Sequence, residues 1–552
     1  MSLSFNPTDF NLTAGIVHWL IVTGVVTFVS FVAMLVMSLV AIGPTGPLQV
    51  IGQIRDGFSD LFGTSLRRVW ALSVLTFREA LRRKTLMVFF VFAILFLFAG
   101  WFMSNVTEDP ELQLKAYVSF VLRTISWLIL PVVLLLSCWG LPEDIRARSL
   151  HTVVTKPVRR HEVVLGRILG FSAIGASVLA LMSIAGYIWI VRQMPASMGS
   201  QLIARVPIYG DVSFVDREGR DRDEMGELLK AGINVGDENP FRSFIEGGTK
   251  ARAIWDFNDV SSAILADPGN LTFESSFQSF RTHKGNMERG LQCRYTLVNP
   301  ETNRRVLLLP FPVKEFRRNS YNVAEENKGR AFTDEEGKPV DLARDILSGG
   351  KLRVEVSCLS SGQFIGMARP DLFIRLPDRS FAASFFKSVF SIGLMMVMVV
   401  VLGVTSGCFV KGPVATMLTT TIVVIGRLAH TFLEELATGV YKDNPGFEMK
   451  GRGIIDSLIR IPTHQAPVVD LEDTLFHRIA KAIDSVELSG LWALQHIFPD
   501  FSVFDTTEYV ANSFDVPWRA SLLPSLAVTL GYCLPWILIG YFSLKLRELE
   551  AK

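Results

Sequence analysis

Long stretches without a single charge alternate along this chain with one ordinary polar segment. A membrane crossing takes about 20 mostly apolar residues. Seven stretches reach that length: residues 13–42, 85–103, 116–142, 168–191, 388–410, a stretch opening at Gly412, and 520–544. The first ends at the breaker run Gly43-Pro44-Thr45-Gly46-Pro47. Its length, with no basic region before it, favours an uncleaved anchor over a signal peptide. The third holds one charge, Arg123, near enough to its outer end to snorkel. Lys411-Gly412-Pro413 makes the fifth and sixth a tight hairpin.

Between residues 192 and 387 the period changes. Short runs such as Leu271–Phe280, Leu291–Val298, Arg305–Pro310, Leu352–Cys358 and Leu372–Leu376 are separated by Asn299-Pro300, Gly349-Gly350 and Pro377-Asp378. Many short strands with turn punctuation predict a β-sandwich. The expected fold is therefore a polytopic α-helical membrane protein of about seven spans with an inserted extracytoplasmic β-sandwich-like domain. It divides into an anchor (1–47), a linker with an interfacial helix (48–84), spans (85–191) with a loop at 141–167, the β domain (192–387), a hairpin (388–437), a helical segment (438–519) and a last span with its tail (520–552).

Basic residues orient these spans. Arg55, Arg67, Arg68, Arg78, Arg82, Arg83 and Lys84 precede the second; Arg146, Arg148, Lys156, Arg159, Arg160 and Arg167 follow the third; Lys545, Arg547 and Lys552 follow the last. Seven alternating spans put all of these, with Lys411, on one side, which the positive-inside rule makes cytoplasmic. Residues 192–387 and 438–519 then lie outside, in the periplasm of a bacterial inner-membrane protein. In LRRVWALSVLTFREALRRK, Leu66, Val69, Trp70, Leu72, Leu75 and Phe77 lie largely toward one side, as in a helix on the cytoplasmic membrane surface. In the outer segment Leu475, Phe476, Ile479, Ala480 and Ile483 repeat at helical spacing, predicting short helices packed above the spans and beneath the β domain. The run Phe498–Phe504 suits the headgroup level.

Composition adds that 49% of the 552 residues are hydrophobic while the charge is unevenly distributed, long stretches having none and the 192–387 segment an ordinary share, and the net charge of +2 gives no reason to expect a nucleic-acid partner. Of five cysteines, Cys293 and Cys358 fall in the polar insert and are disulfide candidates if that insert lies outside. His283 has no partners at metal-ligand spacing, and Asp216–Glu224 interleaves Arg with its acids, which suits a solvated turn better than a calcium loop. No nucleophile–base pair or zinc set appears, so neither catalytic nor metal residues are expected.

The loop LPEDIRARSLHTVVTKPVRRHEVVLGR, preceded by the interfacial helix and a span, resembles the ABC-2 type permease family. Matching positions are Leu150, Thr155, Lys156, Pro157, Val158, Arg160, Glu162, Leu165 and Gly166, the Gly opening the next helix; Arg146, Arg148 and Ser149 stand where an acidic residue, Gly and Thr are commoner. The resemblance implies the membrane subunit of an ATP-driven transporter, working in export or mechanotransmission. Glu143, Asp144, Arg146, Arg148, Lys156, Pro157, Arg159 and Arg160 would then contact a separate cytoplasmic ATPase, with this chain or a related one as second permease. Leu359–Gln363 and Leu347–Lys351 look like the ABC ATPase signature, but no G-x-x-x-x-G-K-[ST] loop exists to cradle phosphates, so no cofactor is expected here and ATP belongs to the partner. The other expectation is a membrane-anchored scaffold whose β domain holds a ligand or protein. Arg427, His430 and Glu434, spaced three and four apart, share one face of the sixth span and mark either a polar path or an Arg–Glu pair at its outer end.

Overall fold

The computed structural model describes residues 10–82, scattered positions in 87–98, and 110–146, 158–194, 202–222, 228–229, 232–233, 242–258, 260, 271–282, 290–314, 317–328, 331–334, 337–441, 444–448, 452–464 and 474–547. Two compact units emerge, one built on Ala204–Arg379 and the other on the helices before and after it.

The helical unit opens with α1 (Leu12–Ile42), α2 (Gly46–Phe62), α3 (Leu66–Arg82), α4 (Pro110–Arg146) and α5 (Arg160–Gln193). After the β unit follow α6 (Phe381–Phe409), α7 (Gly412–Val424), α8 (His430–Thr438), α9 (Ile454–Thr463), α10 (Leu475–Ile497), α11 (Thr507–Ala511) and α12 (Leu523–Arg547). Six helical segments among the described residues are long and apolar enough to cross a membrane: Leu12–Val40, Leu112–Glu143, Arg160–Gln193, Phe381–Phe409, Gly412–Thr438 and Trp518–Lys545. This is a membrane-spanning protein. The expected span at 85–103 falls largely outside the described residues.

Local chemistry sets the boundaries. The Asn11 side chain accepts the Ala14 N–H and caps α1, and Gly43, at φ 87°, ends it. Pro413 occupies the first turn of α7, where a missing N–H costs nothing. Helix α6 is the centre of the bundle: it packs against α4, α5, α7 and α12, and Phe385, Met396, Val400, Leu402 and Val404 along it are buried. A five-residue π-helical turn, Ile425–Ala429, separates α7 from α8 within one continuous span.

Helix α3 divides its residues between a buried side and an exposed apolar side. Its buried positions are Val69, Ser73, Thr76 and Ala80, whereas Leu66, Trp70 and Leu75 are exposed. The small residues face α5 at Gly166 and Gly170. A Cβ at Gly166 would stand 2.5 Å from that of Leu72, and one at Gly170 2.5 Å from that of Thr76. This is the close approach that a Gly-x-x-x-Gly spacing permits. The bulky apolar face is left exposed.

The β unit contains β1 (Ile203–Tyr209), β2 (Asp211–Val215), β3 (Ser243–Glu246), β4 (Arg252–Phe257), β5 (Thr272–Ser275), β6 (Gln278–Arg281), β7 (Leu291–Val298), β8 (Arg305–Leu307), β9 (Phe311–Val313), β10 (Asn319–Asn322), β11 (Leu352–Cys358), β12 (Gln363–Met367) and β13 (Leu372–Ser380). They form antiparallel sheets of order β1-β13-β5-β10, β2-β4-β11-β7-β8 with β9 also on β7, and β3-β12-β6. The expected single run Leu271–Phe280 is two strands in two sheets, broken at Ser276, whose N–H goes to Asp371 instead of a ladder partner. Phe273 of one sheet meets Tyr295 of another at 5.5 Å between ring centroids, with Phe311 and Tyr321 beside them, so these sheets share one core. Burial pushes the Tyr295 hydroxyl far above its ordinary range, and it donates to Ser275 Oγ at 2.8 Å.

Candidate functional site

The first turn of α5 is densely connected. Glu162 is fully buried and accepts three donors: the Arg159 N–H at 3.0 Å, the Ser65 N–H at 2.8 Å, and the Arg68 guanidinium at 3.1 Å. The first of these is the backward half of a capping box, with Arg159 rather than Ser or Thr at the N-cap. The other two bind the turn before α3 and α3 itself. Next to it, buried His161 places Nε2 2.8 Å from Thr64 Oγ1 and turns its ring edge to Tyr541 of α12. Arg160 donates to the Lys545 carbonyl at 3.0 Å, covering an open acceptor at the end of α12. Two turns on, Arg167 pairs with Glu79 of α3 at 2.7 Å. One helix start thus holds α3 and α12 together.

The expected loop residues distribute as follows. Glu143 and Arg146 are exposed in the last turns of α4, and Asp144 lies between them on that helix. Arg148, Lys156 and Pro157 lie outside the described residues. Arg159 is the N-cap of α5 and Arg160 its first residue, both half-buried and engaged within the fold. Gly166 does not open the helix. Because Glu162 caps α5 from Arg159, Gly166 sits inside it and serves the contact with α3.

Arg427 and His430 find partners in the segment after α10. The Arg427 guanidinium lies 3.8 Å from Asp505 and 5.8 Å from the Trp127 ring centroid, and His430 Nδ1 lies 3.7 Å from Asp500. The Arg427 ion pair is thus made with Asp505, not with Glu434, which is half-buried on α8. Arg427 lies within the π-turn Ile425–Ala429, and His430 follows it as the first residue of α8. Exposed Arg123 lines a groove of ≈ 450 Å³ with Ser119, Phe120, Thr124 and Trp127.

Sequence reading missed a row of hydroxyls on α6. Ser384 donates to Phe514 O and Ser391 to Phe504 O, each at 3.0 Å, while Ser388 accepts from Thr506 at 2.8 Å. Beside them Lys387 reaches both oxygens of Asp515 at 2.7 and 2.9 Å. The signal was present, because Ser384, Lys387, Ser388 and Ser391 fall on one helical face within an otherwise apolar stretch. Phe501 and Phe504, expected near the headgroups, are buried here in the bundle core.

In the β unit, Leu359–Gln363 spans the turn between β11 and β12, with Gly362 at φ 69°, and Ser348–Gly350 is a short 3-10 turn with Gly349 and Gly350 at positive φ. Turn geometry accounts for both look-alike motifs. Asp216 also makes a turn, accepting from the Glu218 and Arg220 N–H groups, and the bonds from Arg220 hold its carboxyl below the usual range. His283 lies outside the described residues.

Cys293 and Cys358 stand opposite each other on β7 and β11, free and buried. The next rung, Leu359 N to Gln292 O at 2.8 Å, is hydrogen-bonded, so the cysteines occupy a non-hydrogen-bonded pair. Such pairs place Cα atoms about 4.5 Å apart, inside the ~4.4–6.8 Å that a disulfide bridges. The Cys293 thiol is pushed up by burial, while its hydrogen bond holds Cys358 below the ordinary thiol range. Oxidised glutathione is expected to link the pair in the folded protein, the two thiols passing two electrons and two protons to give two glutathione thiols. Cys358 is the attacking sulfur, so the rate rises with pH and does so lower than for an ordinary thiol. Joint loss of both alkylation sites in peptide mapping checks this; independent alkylation of each would contradict it.

The fold and these contacts define a polytopic helical membrane protein carrying an antiparallel β domain. No known protein family, curated protein or solved structure matches the chain.

Proposed function

We propose that the chain is the permease subunit of an ATP-driven ABC transporter in a bacterial inner membrane, working in export or in mechanical signalling across it. The observation that carries this reading is the Glu162 node. A cytoplasmic loop between α4 and α5 delivers any displacement to the first turn of α5, and that turn is fastened to α3 by Glu162 and to α12 by Arg160. A push on the loop therefore moves three helices together. Exposed Glu143 and Arg146 at the end of α4 are the residues that a separate ATPase subunit meets. That partner binds ATP, and this chain catalyses nothing itself. Two copies, or this chain with a related one, pair within the bilayer. The single hydrophobic core its sheets share supports a sandwich-like β domain, which we place in the periplasm, where it engages a ligand or protein.

Purification from native membranes in mild detergent tests the reading. The native chain is expected to retain an ATP-hydrolysing subunit, and Glu143→Arg with Arg146→Glu to lose most of it while keeping its thermal transition. If the intact native chain retains no ATPase, the permease reading fails and a membrane-anchored scaffold replaces it.

A further inference from the structure

Helices α9 and α10 pair with their polar sides together. Asp484 of α10 accepts the Ile455 and Asp456 N–H groups at 3.1 and 2.9 Å and so caps α9, and Glu487 accepts the Ile454 N–H at 3.3 Å. Asp456 binds Arg460 at 2.6 Å and lies 3.8 Å from His477 of α10. Asp456, Arg460, His477 and Asp484 are all buried, at 4–6% exposure. The outer side is the reverse. Ile454, Leu458 and Ile461 on α9 and Leu475, Ile479, Ile483 and Val486 on α10 are between 51% and 77% exposed. The spacing that predicted burial of this stripe is right about the helix and wrong about its direction. The charged groups took the helix–helix contact because Asp484 satisfies the open N–H groups of α9.

Two further observations identify what covers this stripe. The pair is fastened to membrane helices: Tyr532 of α12 donates to the His496 and Phe498 carbonyls, His496 Nε2 lies 3.0 Å from His18 of α1, and Arg452 donates to Ala437 O at the end of α8. His18 is in the second turn of α1, whose length exceeds what a bilayer core needs, so α10 ends at the boundary depth. In addition, exposed Arg478, Lys481 and Trp492 flank the apolar stripe along one side of α10. An apolar face edged by basic residues and Trp is the pattern of a helix lying in the headgroup region.

We infer that α9 and α10 form an interfacial hairpin whose apolar side is covered by bilayer phospholipid. A second copy or a foreign protein on this face is the competing occupant, and photo-crosslinking separates them. A benzophenone amino acid at Leu458 or Ile483 of the full chain, in nanodiscs of phosphatidylethanolamine and phosphatidylglycerol and in native membranes, is expected to yield phospholipid adducts severalfold above those at Glu218, an exposed reference in the β unit. Adducts chiefly to protein at both positions would overturn the inference in favour of an interface. So would yields no higher than at Glu218, which would make the stripe water-facing. The two positions lie on different helices, so misfolding of one variant leaves the other decisive.

Discussion

Replacing Glu162 by Ala is expected to lower the thermal stability of the purified protein by about 3 kcal/mol, and to loosen α3 from α5. The magnitude follows from what the change leaves behind. Two backbone N–H groups, of Ser65 and Arg159, lose a buried acceptor, and the Arg68 guanidinium loses its counter-charge. Breaking a buried pair from one side costs about 3–5 kcal/mol. The low end applies because the Arg68 side chain is 34% exposed and water recovers part of its solvation. Glu162→Gln keeps the shape and one acceptor oxygen and is expected to fall between the two. Thermal unfolding in detergent gives the stability, and hydrogen exchange across residues 64–82 reports the loosening. An unchanged transition for the Ala variant would show that the node carries no structural weight and would remove the support it gives to a coupling role.

In the β domain, the largest effect is expected at Asp371. It receives Arg242 through two bonds of 2.7 and 2.8 Å, the Ala368 N–H at 2.9 Å and the Ser276 hydroxyl at 3.3 Å. The partners come from the start of β3, from the break between β5 and β6, and from the turn before β13, so one carboxylate ties elements of different sheets together. It also sets a matching bias on Arg242, whose guanidinium is raised by the hydrogen bonds and charge of Asp371 against the opposing effect of its burial. Asp371→Ala leaves that guanidinium buried without its fork partner and is expected to cost about 3–5 kcal/mol. Asp371→Asn, which keeps an acceptor but not the charge, is expected to recover only part of this. Chemical denaturation followed by the buried Trp255, which donates to the Arg369 carbonyl beside the same turn, measures both.

How far the fold could be read in advance depended on what each stretch was made of. Charge-free runs located the described spanning helices, though Arg160–Gln193 and Phe381–Phe409 begin well before the expected 168 and 388, because polar residues such as Glu162 and Lys387 lie inside them. Leu291–Val298 and Leu352–Cys358 were legible as strands from alternation, and the two prove to be neighbours. Leu271–Phe280 misled because alternation persists through Ser276, where the chain changes sheets and only a distant carboxylate marks the break. The polar side of α10 misled for a different reason. Hydrophobic spacing tells which residues share a face, and not whether protein or lipid lies against it. Arg427 was legible as a charge on the sixth span, but its partner Asp505 lies far along the chain in the segment after α10, beyond any local pattern. The α5 node was not visible, since the resemblance puts the helix start at Gly166, and the chain separation of 97 residues between Glu162 and Ser65 put their contact beyond any sequence pattern.

The row of serines on α6 carries a consequence for how this protein tolerates change. Ser384 and Ser391 bind main-chain carbonyls of Phe514 and Phe504, and Ser384 also accepts the Val516 N–H. Carbonyl and amide atoms are the same whatever side chain they carry. The path of the chain between residues 504 and 516 is therefore held partly through its main chain, beside the side-chain contacts of Thr506 and Asp515 and the buried Phe504 and Val510. Variation can accumulate at outward-facing positions there without moving the backbone, while a loss at one α6 serine releases a stretch of chain.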